Sequence, residues 1–331
     1  TLSGTRIGIS LLLWLAAIPA LAAGMAADGA AGMEKIRHIV VIYLENRSFD
    51  HLYGLFPGAN GLSNAGAAAT QTDRDGKPYA TLPPAMLTHT KPATADGRFP
   101  DNLPNRPFDI APYVPLDQKT SDLVHRYYQN QMQINGGRND RFAAFSDAGA
   151  LAMGYYDGSR MPLWKYAAQY TLADNFYQAA FGGSFLNHFW LICACTPRYP
   201  DAPAEMRAQL DDNGNLLKDG AVTPDGYAVN TVQPHYTPHR SGQHKTLPPQ
   251  TLPTIGDRLT EKNIGWAWYS GGWNDALSGR PAPTFQFHHQ PFAYFSNYAD
   301  GSENKVRHLK DESDFLIALE RGTLPPVSFY N

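Results

Sequence analysis

The stretch Ile36-Arg-His-Ile-Val-Val-Ile-Tyr-Leu-Glu-Asn-Arg-Ser-Phe-Asp-His51 joins a short apolar run to a series of polar residues. Residues 39–44 are all apolar or aromatic, and β-branched side chains are frequent among them. A continuous run of this length predicts a strand buried on both faces, as in a parallel sheet. The first regular element of the fold is therefore expected to be an inner strand of an α/β sheet.

Two polar residues, Glu45 and Asn46, follow this predicted strand directly. Open α/β sheets bind their ligands beyond the carboxyl ends of the strands. A carboxylate and an amide oxygen are hard ligands that suit a divalent cation. The alternative is structural: Glu45 pairs with an arginine, and Asn46 caps the short helix that follows. This stretch alone leaves both readings open.

The composition limits the classes of function. The 331 residues are 43% hydrophobic, which is ample for a large core. The formal net charge of -3 argues against nucleic acid or an anionic membrane surface as a partner. The 26 prolines and 29 glycines indicate many long loops around a regular centre.

Residues 1–22 have the pattern of a secretory signal peptide. Arg6 supplies the positive charge, residues 7–18 form the apolar segment, and Ala20-Leu-Ala22 fits a cleavage site. The apolar segment is short for a membrane span, so no stable membrane anchor is expected. We expect a mature protein that begins near Ala23 and acts in the periplasm or outside the cell.

A second notable segment is Gly182-Gly183-Ser184-Phe-Leu-Asn187-His188. Residues 171–177 before it are predicted to form a strand, and the apolar run after it a helix that begins at Ser184. Free N–H groups and the helix dipole stabilise phosphate at such a position. They would also favour an ionised serine oxygen, especially beside a metal. The alternative is that Ser184 simply caps the helix.

Three histidines lie near predicted strand ends or polar surfaces. His125 falls on the polar side of a helix predicted over residues 120–135. His288 and His289 follow a predicted aromatic strand over residues 265–270. Adjacent side chains in a strand point in opposite directions, so at most one of this pair would be a ligand unless the backbone is in a loop.

The cysteines and a cluster of aspartates are given structural interpretations. Cys193 and Cys195 lie two apart in a predicted helix, where their side chains diverge, so buried free thiols are expected and a mutual disulfide is not. Asp211 and Asp212 precede Asn213-Gly214, a hairpin-turn dipeptide. The region 210–226 is therefore predicted to be a surface β-hairpin insertion, not a metal site.

Predicted strands and helices alternate along the chain, which favours a single α/β domain with long insertions. Several motifs of this domain resemble one family. Residues 45–51, 182–188 and 288–292 are similar to the opening, nucleophile and histidine segments of the bacterial acid phosphatase and phospholipase C phosphoesterase superfamily. His125 matches a family histidine upstream of an Asn-Gly-Gly stretch, and the resemblance covers residues 36–331. Ser184 and residues 122–131 resemble the acid phosphatase branch, because the phospholipase C branch usually has threonine at the nucleophile position.

This resemblance implies an alkaline-phosphatase-like α/β fold with a mostly parallel central sheet. It also implies one divalent metal ion, held by Glu45, Asn46 and Ser184, and phosphoryl transfer through a phosphoserine at Ser184. His125, His288 and His289 would surround the phosphoryl group or protonate the leaving group, and Asn187 would contact the substrate. The expected function is a secreted phosphomonoesterase acting on phosphate esters.

One family feature is missing before Asn331, namely an acidic pair on a late strand that completes the metal site. The expectation is therefore that residues 23–331 form the phosphoesterase domain without its C-terminal part. Two alternatives stay open: a phospholipase C that cleaves phospholipid headgroups, and an inactive envelope protein that binds phosphorylated ligands.

Overall fold

The computed structural model describes residues 32–240, 242 and 245–331. The predicted signal peptide, residues 1–22, lies outside this range. Within the described range, none of the helices combines the length and the apolar character that crossing a membrane requires.

The strands are short and are distributed along the whole described chain. In chain order they are β1 (Ile39–Ile42), β2 (Met86–Leu87), β3 (Thr94–Ala95), β4 (Phe108–Asp109), β5 (Gly154–Tyr155), β6 (Gln209–Leu210), β7 (Leu216–Lys218), β8 (Gln233–Pro234), β9 (Thr246–Leu247), β10 (Trp266–Ser270), β11 (Leu309–Asp311) and β12 (Val327–Tyr330).

The α-helices are interspersed with them. They are α1 (Phe49–Tyr53), α2 (Tyr127–Ile134), α3 (Phe142–Phe145), α4 (Pro162–Gln169), α5 (Ser184–Cys193), α6 (Ile255–Glu261), α7 (Trp273–Leu277), α8 (Glu303–His308) and α9 (Glu312–Glu320).

The central sheet has the strand order β1-β12-β10-β11, and all of its pairings are parallel. Ile39 pairs with Val327, and Trp266 pairs with the same valine on its other side. Parallel strands require crossover connections, so the chain must leave and re-enter the sheet through helices. The predicted mixed α/β fold with a parallel central sheet is confirmed, and it is consistent with an alkaline-phosphatase-like architecture.

The core is centred on β10, whose five residues are all buried. Trp268 at its centre has no exposed surface and contacts the rings of Phe292 and Phe329. Phe185 and Phe189, one turn apart on α5, belong to the same apolar cluster. This cluster fixes α5 against the sheet, and α5 begins at Ser184.

The prediction that β1 is buried on both faces is wrong. Ile39 is 46% exposed and Ile42 is 58% exposed. The reason is the position of β1 in the strand order: among the described residues it pairs only with β12, at one edge of the sheet. An apolar run indicates that a segment tends to be buried, but it does not indicate whether the strand lies at the centre or at the edge of its sheet.

Two further elements differ from the predictions. Residues 171–177 form no strand. Two of their side chains instead contact Asn60, whose backbone N–H donates to the carboxylate of Asp174 (2.7 Å) and whose side-chain amide donates to Oδ1 of Asn175 (2.9 Å). The helix predicted over residues 120–135 begins only at Tyr127, after Arg126 in an extended conformation. The guanidinium of Arg126 pairs there with Asp219 at 2.5 Å.

The prediction about the cysteines is also wrong, because Cys193 and Cys195 form a disulfide. Helix α5 ends at Cys193, and Ala194 turns the chain into the left-handed region with φ 48°. The two Cα atoms are 5.1 Å apart, within the range of a disulfide. Because the helix has ended, the two side chains no longer diverge as they would on a helix. The prediction that the two thiols diverge assumed that the helix continues through Cys195.

The hairpin insertion is confirmed by the antiparallel pair of β6 and β7. The carboxylate of Asp211 accepts hydrogen bonds from the backbone N–H groups of Asn213 and Asn215, and so closes the turn. Asp211 therefore has a structural role, as expected for an Asx turn.

Helix α6 packs so closely on β10 that Gly256 tolerates no side chain. A Cβ atom at this position would lie 2.3 Å from Cζ2 of Trp266 and 2.8 Å from the hydroxyl oxygen of Tyr298. We predict that Gly256→Ala lowers the free energy of unfolding by about 1–3 kcal/mol, although alanine normally favours a helix. Denaturant titration measures the change. Gly97→Ala is the control, because nothing lies within 4 Å of its added methyl group; equal stabilities of the two variants would contradict the packing argument.

Candidate active site

Ser184 is the first residue of α5, where the early N–H groups of a helix lack partners within the helix. The preceding Gly183 is the N-cap residue and makes no side-chain capping bond. Glycine is required there, because a Cβ atom would lie 2.3 Å from the carbonyl oxygen of His125. The alternative that Ser184 merely caps the helix therefore does not hold: its hydroxyl oxygen lies 3.0 Å from Nε2 of His288 instead.

His288 is a buried partner for this hydroxyl. It lies in a single 3₁₀ turn, Phe287–His289, and is 3% exposed. Burial, together with the nearby imidazoles of His188 and His289, holds the pKa of His288 well below its ordinary value. A neutral imidazole with a lone pair toward Ser184 can accept the hydroxyl proton. The other ring nitrogen, Nδ1, is buried and has no hydrogen-bond partner among the described residues.

Glu45 forms an ion pair with His289, with 3.0 Å between Oε1 and Nε2. One sequence-based alternative proposed that Glu45 pairs with an arginine, but none of the arginines that the structure describes forms an ion pair with it. Burial acts to raise the pKa of Glu45, but the hydrogen bond from His289 and the charges of the neighbouring histidines outweigh burial and lower it. Glu45 is therefore a carboxylate at neutral pH. The helix after it, α1, is capped by Ser48 and not by Asn46.

His188 connects the serine helix to the end of the sheet. It is fully buried, one turn after Ser184 on the same face of α5. Its Nδ1 lies 2.7 Å from the carbonyl oxygen of Ser184, and its Nε2 lies 3.1 Å from Oδ1 of Asn331. Its ring stacks on His289, with 5.2 Å between ring centroids.

Glu45, His188 and His289 together could hold a metal ion, since one donor atom from each lies within 4.8 Å of the other two. One carboxylate and two imidazoles form a donor set that suits zinc and other transition metals. This group shares only Glu45 with the predicted ligand set. Asn46 is exposed and has a left-handed backbone with φ 68°. Asn46 and Ser184 as metal ligands stay predictions.

The other two predicted residues lie beside Gly183. The ring of His125 approaches Gly183 and is half exposed, with Nδ1 2.6 Å from the carbonyl oxygen of Leu123. Asn187 uses its side chain within the loop: it accepts from the N–H of Ala180 and donates to the carbonyl oxygens of Gly182 and Gly183. These contacts hold the loop before Ser184, and contact of Asn187 with substrate stays a prediction.

The sequence reasoning missed His188 and Asn331. The signal for His188 was its spacing of four residues from Ser184, which places both on one helix face. Asn331 had no sequence signal, because its role depends on the strand order. It donates to the carbonyl oxygen of Tyr43 after β1 while its Oδ1 faces His188.

Comparisons with known proteins identify the family of the chain. The model of the Phosphoesterase family matches residues 36–331. Phospholipase C A of Mycobacterium tuberculosis is 26% identical over 213 residues, which cover 62% of this chain and 38% of that protein. Hemolytic phospholipase C of Pseudomonas aeruginosa is 26% identical over 164 residues, which cover 48% of this chain and 19% of that protein.

The chain thus spans well under half the length of these curated relatives. The family match, in contrast, runs from the residues before β1 to the last residue and includes every member of the site. The chain therefore belongs to the Phosphoesterase family.

Proposed function

We propose that this protein is a metal-dependent phosphomonoesterase of the acid phosphatase type, which hydrolyses phosphate esters through a phosphoserine at Ser184. The observation that carries the proposal is the 3.0 Å contact between the Ser184 hydroxyl and Nε2 of a buried histidine, His288. A serine beside a neutral imidazole at a helix N-terminus combines a nucleophile, a base and an anion site.

The residues of the site would divide the reaction as follows. His288 takes the hydroxyl proton as the serine oxygen attacks phosphorus, and the bond from phosphorus to the leaving-group oxygen breaks. The N–H groups at the start of α5 stabilise the phosphoryl oxygens. His125, half exposed beside Gly183, supplies a proton to the leaving oxygen. Water then hydrolyses the phosphoserine, with a histidine as base.

A divalent metal ion held by Glu45 and its neighbours would supply neutralisation of the phosphate charge and a lower pKa of the serine hydroxyl. The carboxylate of Glu45 is only 18% exposed, and its closest charged partner is His289. Two ligand sets are possible around it: the set from sequence, with Asn46 and Ser184, and the set from geometry, with His188 and His289.

A second candidate function is phospholipase C activity on phospholipid headgroups. The observation in its favour is the similarity of the chain to the phospholipases C of Mycobacterium tuberculosis and Pseudomonas aeruginosa. Ser184 at the nucleophile position is the feature that favours the monoesterase.

We predict that Ser184→Ala lowers kcat/KM for an aryl phosphate at least about 1000-fold, because the nucleophile is lost. Acid quenching during turnover, followed by mass spectrometry, should find phosphate on Ser184 in the wild type and none in the variant. Ser278→Ala, at an exposed serine, is the control. Undiminished turnover of the Ser184 variant would refute the mechanism.

Removal of the Glu45 carboxylate should weaken metal binding. We predict that Glu45→Gln lowers the affinity for a divalent ion at least about 10-fold, measured by elemental analysis after dialysis. Glu261→Gln, at an exposed glutamate paired with Arg258, is the matched control.

The same measurement on two more variants separates the two ligand sets. Loss of the ion in Asn46→Ala supports the set from sequence, and loss in His188→Ala supports the set from geometry. A wild-type protein that binds no ion would favour the non-catalytic phosphate-binding alternative over an enzyme.

The two enzyme functions differ in the substrate they prefer. We predict that kcat/KM is higher for release of phosphate from simple monoesters than for release of phosphocholine from phosphatidylcholine. Colorimetric phosphate release and phosphocholine release, measured with the same preparation, give the comparison. A strong preference for phosphatidylcholine would refute the monoesterase function and support phospholipase C activity.

A further inference from the structure

A cleft with a volume of about 1430 Å³ opens beside the candidate active site. Arg47 and Ser48, directly after Asn46, line one side of it. Ala180 and Phe181, shortly before Ser184, line another. We propose that this cleft binds the leaving group of the phosphate ester and that it selects apolar leaving groups. The proposal rests on phosphoester hydrolysis at Ser184.

Hydrogen bonds connect the wall of the cleft to the elements that carry the site residues. The hydroxyl group of Tyr43, two residues before Glu45, donates to Oε1 of Gln178 on the cleft wall at 3.3 Å. Asn187, on the serine helix, accepts a hydrogen bond from the N–H of Ala180 at 3.2 Å. The wall of the cleft is therefore held by the same strand end and helix that carry Glu45 and Ser184.

The wall nearest the site presents aromatic side chains to solvent. Phe176 is 81% exposed, Tyr177 is 78% exposed and Phe181 is 58% exposed, and all three line the cleft. Exposed rings grouped at the edge of a cleft commonly mark a binding surface, because leaving them in water is unfavourable. The bonds from Asn60 to the side chains of Asp174 and Asn175 tie the residues just before Phe176 to another loop.

Helix α5 itself continues the apolar surface away from Ser184. Leu186 and Trp190 are one turn apart on the helix, and both line the cleft. Phe181 lies only three residues before Ser184, so the leaving group of a phosphate held at the start of α5 would be within about 10 Å of this wall. Leu186 is already buried, whereas Trp190 is partly exposed. An alkyl or aryl group in the cleft would cover Trp190 and the exposed rings of the wall, whereas a small polar alcohol would leave them in water.

The test compares two monoesters with the same phosphate and different leaving groups, methyl phosphate and monomeric octyl phosphate. The expected wild-type ratio of kcat/KM favours octyl phosphate. In the double variant Phe176→Ala/Tyr177→Ala this ratio should fall about tenfold or more. The matched control is Tyr166→Ala/Tyr170→Ala, which removes two rings that are 60% and 77% exposed and do not line the cleft. An equal ratio in the wild type and both double variants would overturn the proposal.

A binding measurement separates this proposal from the proposed chemistry. Calorimetry of octyl phosphate with Ser184→Ala should give tighter binding than with Ser184→Ala/Phe176→Ala/Tyr177→Ala, again by about tenfold. If Ser184→Ala retains turnover, the phosphoserine mechanism is refuted. The calorimetry then still tests whether the cleft binds the apolar leaving group. Equal affinity of the two variants for octyl phosphate would refute the proposed role of the cleft, whether or not the phosphoserine mechanism holds.

The apolar leaving group could be a simple alcohol or the diacylglycerol of a phospholipid. Dihexanoyl phosphatidylcholine, below its micellar concentration, distinguishes the two sources. A loss of its hydrolysis in Phe176→Ala/Tyr177→Ala that parallels the loss for octyl phosphate supports a lipid. A loss confined to octyl phosphate supports an alcohol.

Discussion

The site depends on a chain of hydrogen bonds that joins three elements at the carboxyl edge of the sheet. Asn331, after β12, donates to the carbonyl oxygen of Tyr43 after β1, and its Oδ1 faces His188. His188 in turn lies 2.7 Å from the carbonyl oxygen of Ser184 at the start of α5. These contacts fix the distance between the strand that carries Glu45 and the helix that carries Ser184. A second link runs through the adjacent residues His288 and His289, which contact Ser184 and Glu45 respectively.

Burial gives these histidines their chemistry. His188 and His288 have almost no exposed surface, so desolvation disfavours their protonated forms and lowers the pKa of each. Neutral imidazoles act as proton acceptors and as metal ligands, whereas imidazolium ions do neither. Glu45 is the counterpart, since its neighbours keep it ionised in spite of burial. A carboxylate beside two buried, neutral imidazoles is an arrangement that attracts a cation to this edge of the sheet and leaves the helix terminus for an anion.

The sequence predicted the elements that carry strong local signals. Ser184 at a helix start and the Asp211 turn follow from Gly-Gly-Ser and Asn-Gly, whose preferences act within a few residues. The disulfide between Cys193 and Cys195 was missed because it depends on one left-handed residue, Ala194. The exposure of β1 and the role of Asn331 were missed for a different reason. Both follow from strand order, which is set by contacts between residues almost 300 positions apart and has no local pattern.

The position of β1 links ligand binding to folding. Glu45 follows a strand of only four residues that has one neighbour among the described strands, whereas β10 is fully buried between two. Local opening free energies are lowest where few contacts hold an element, so β1 should open more readily than the centre of the sheet. Any ion or phosphate that binds across Glu45 and Ser184 then acts as a clamp on this strand, because a ligand that binds only the closed form stabilises it in proportion to its concentration. Occupancy of the site and integrity of the sheet edge are in this sense one equilibrium.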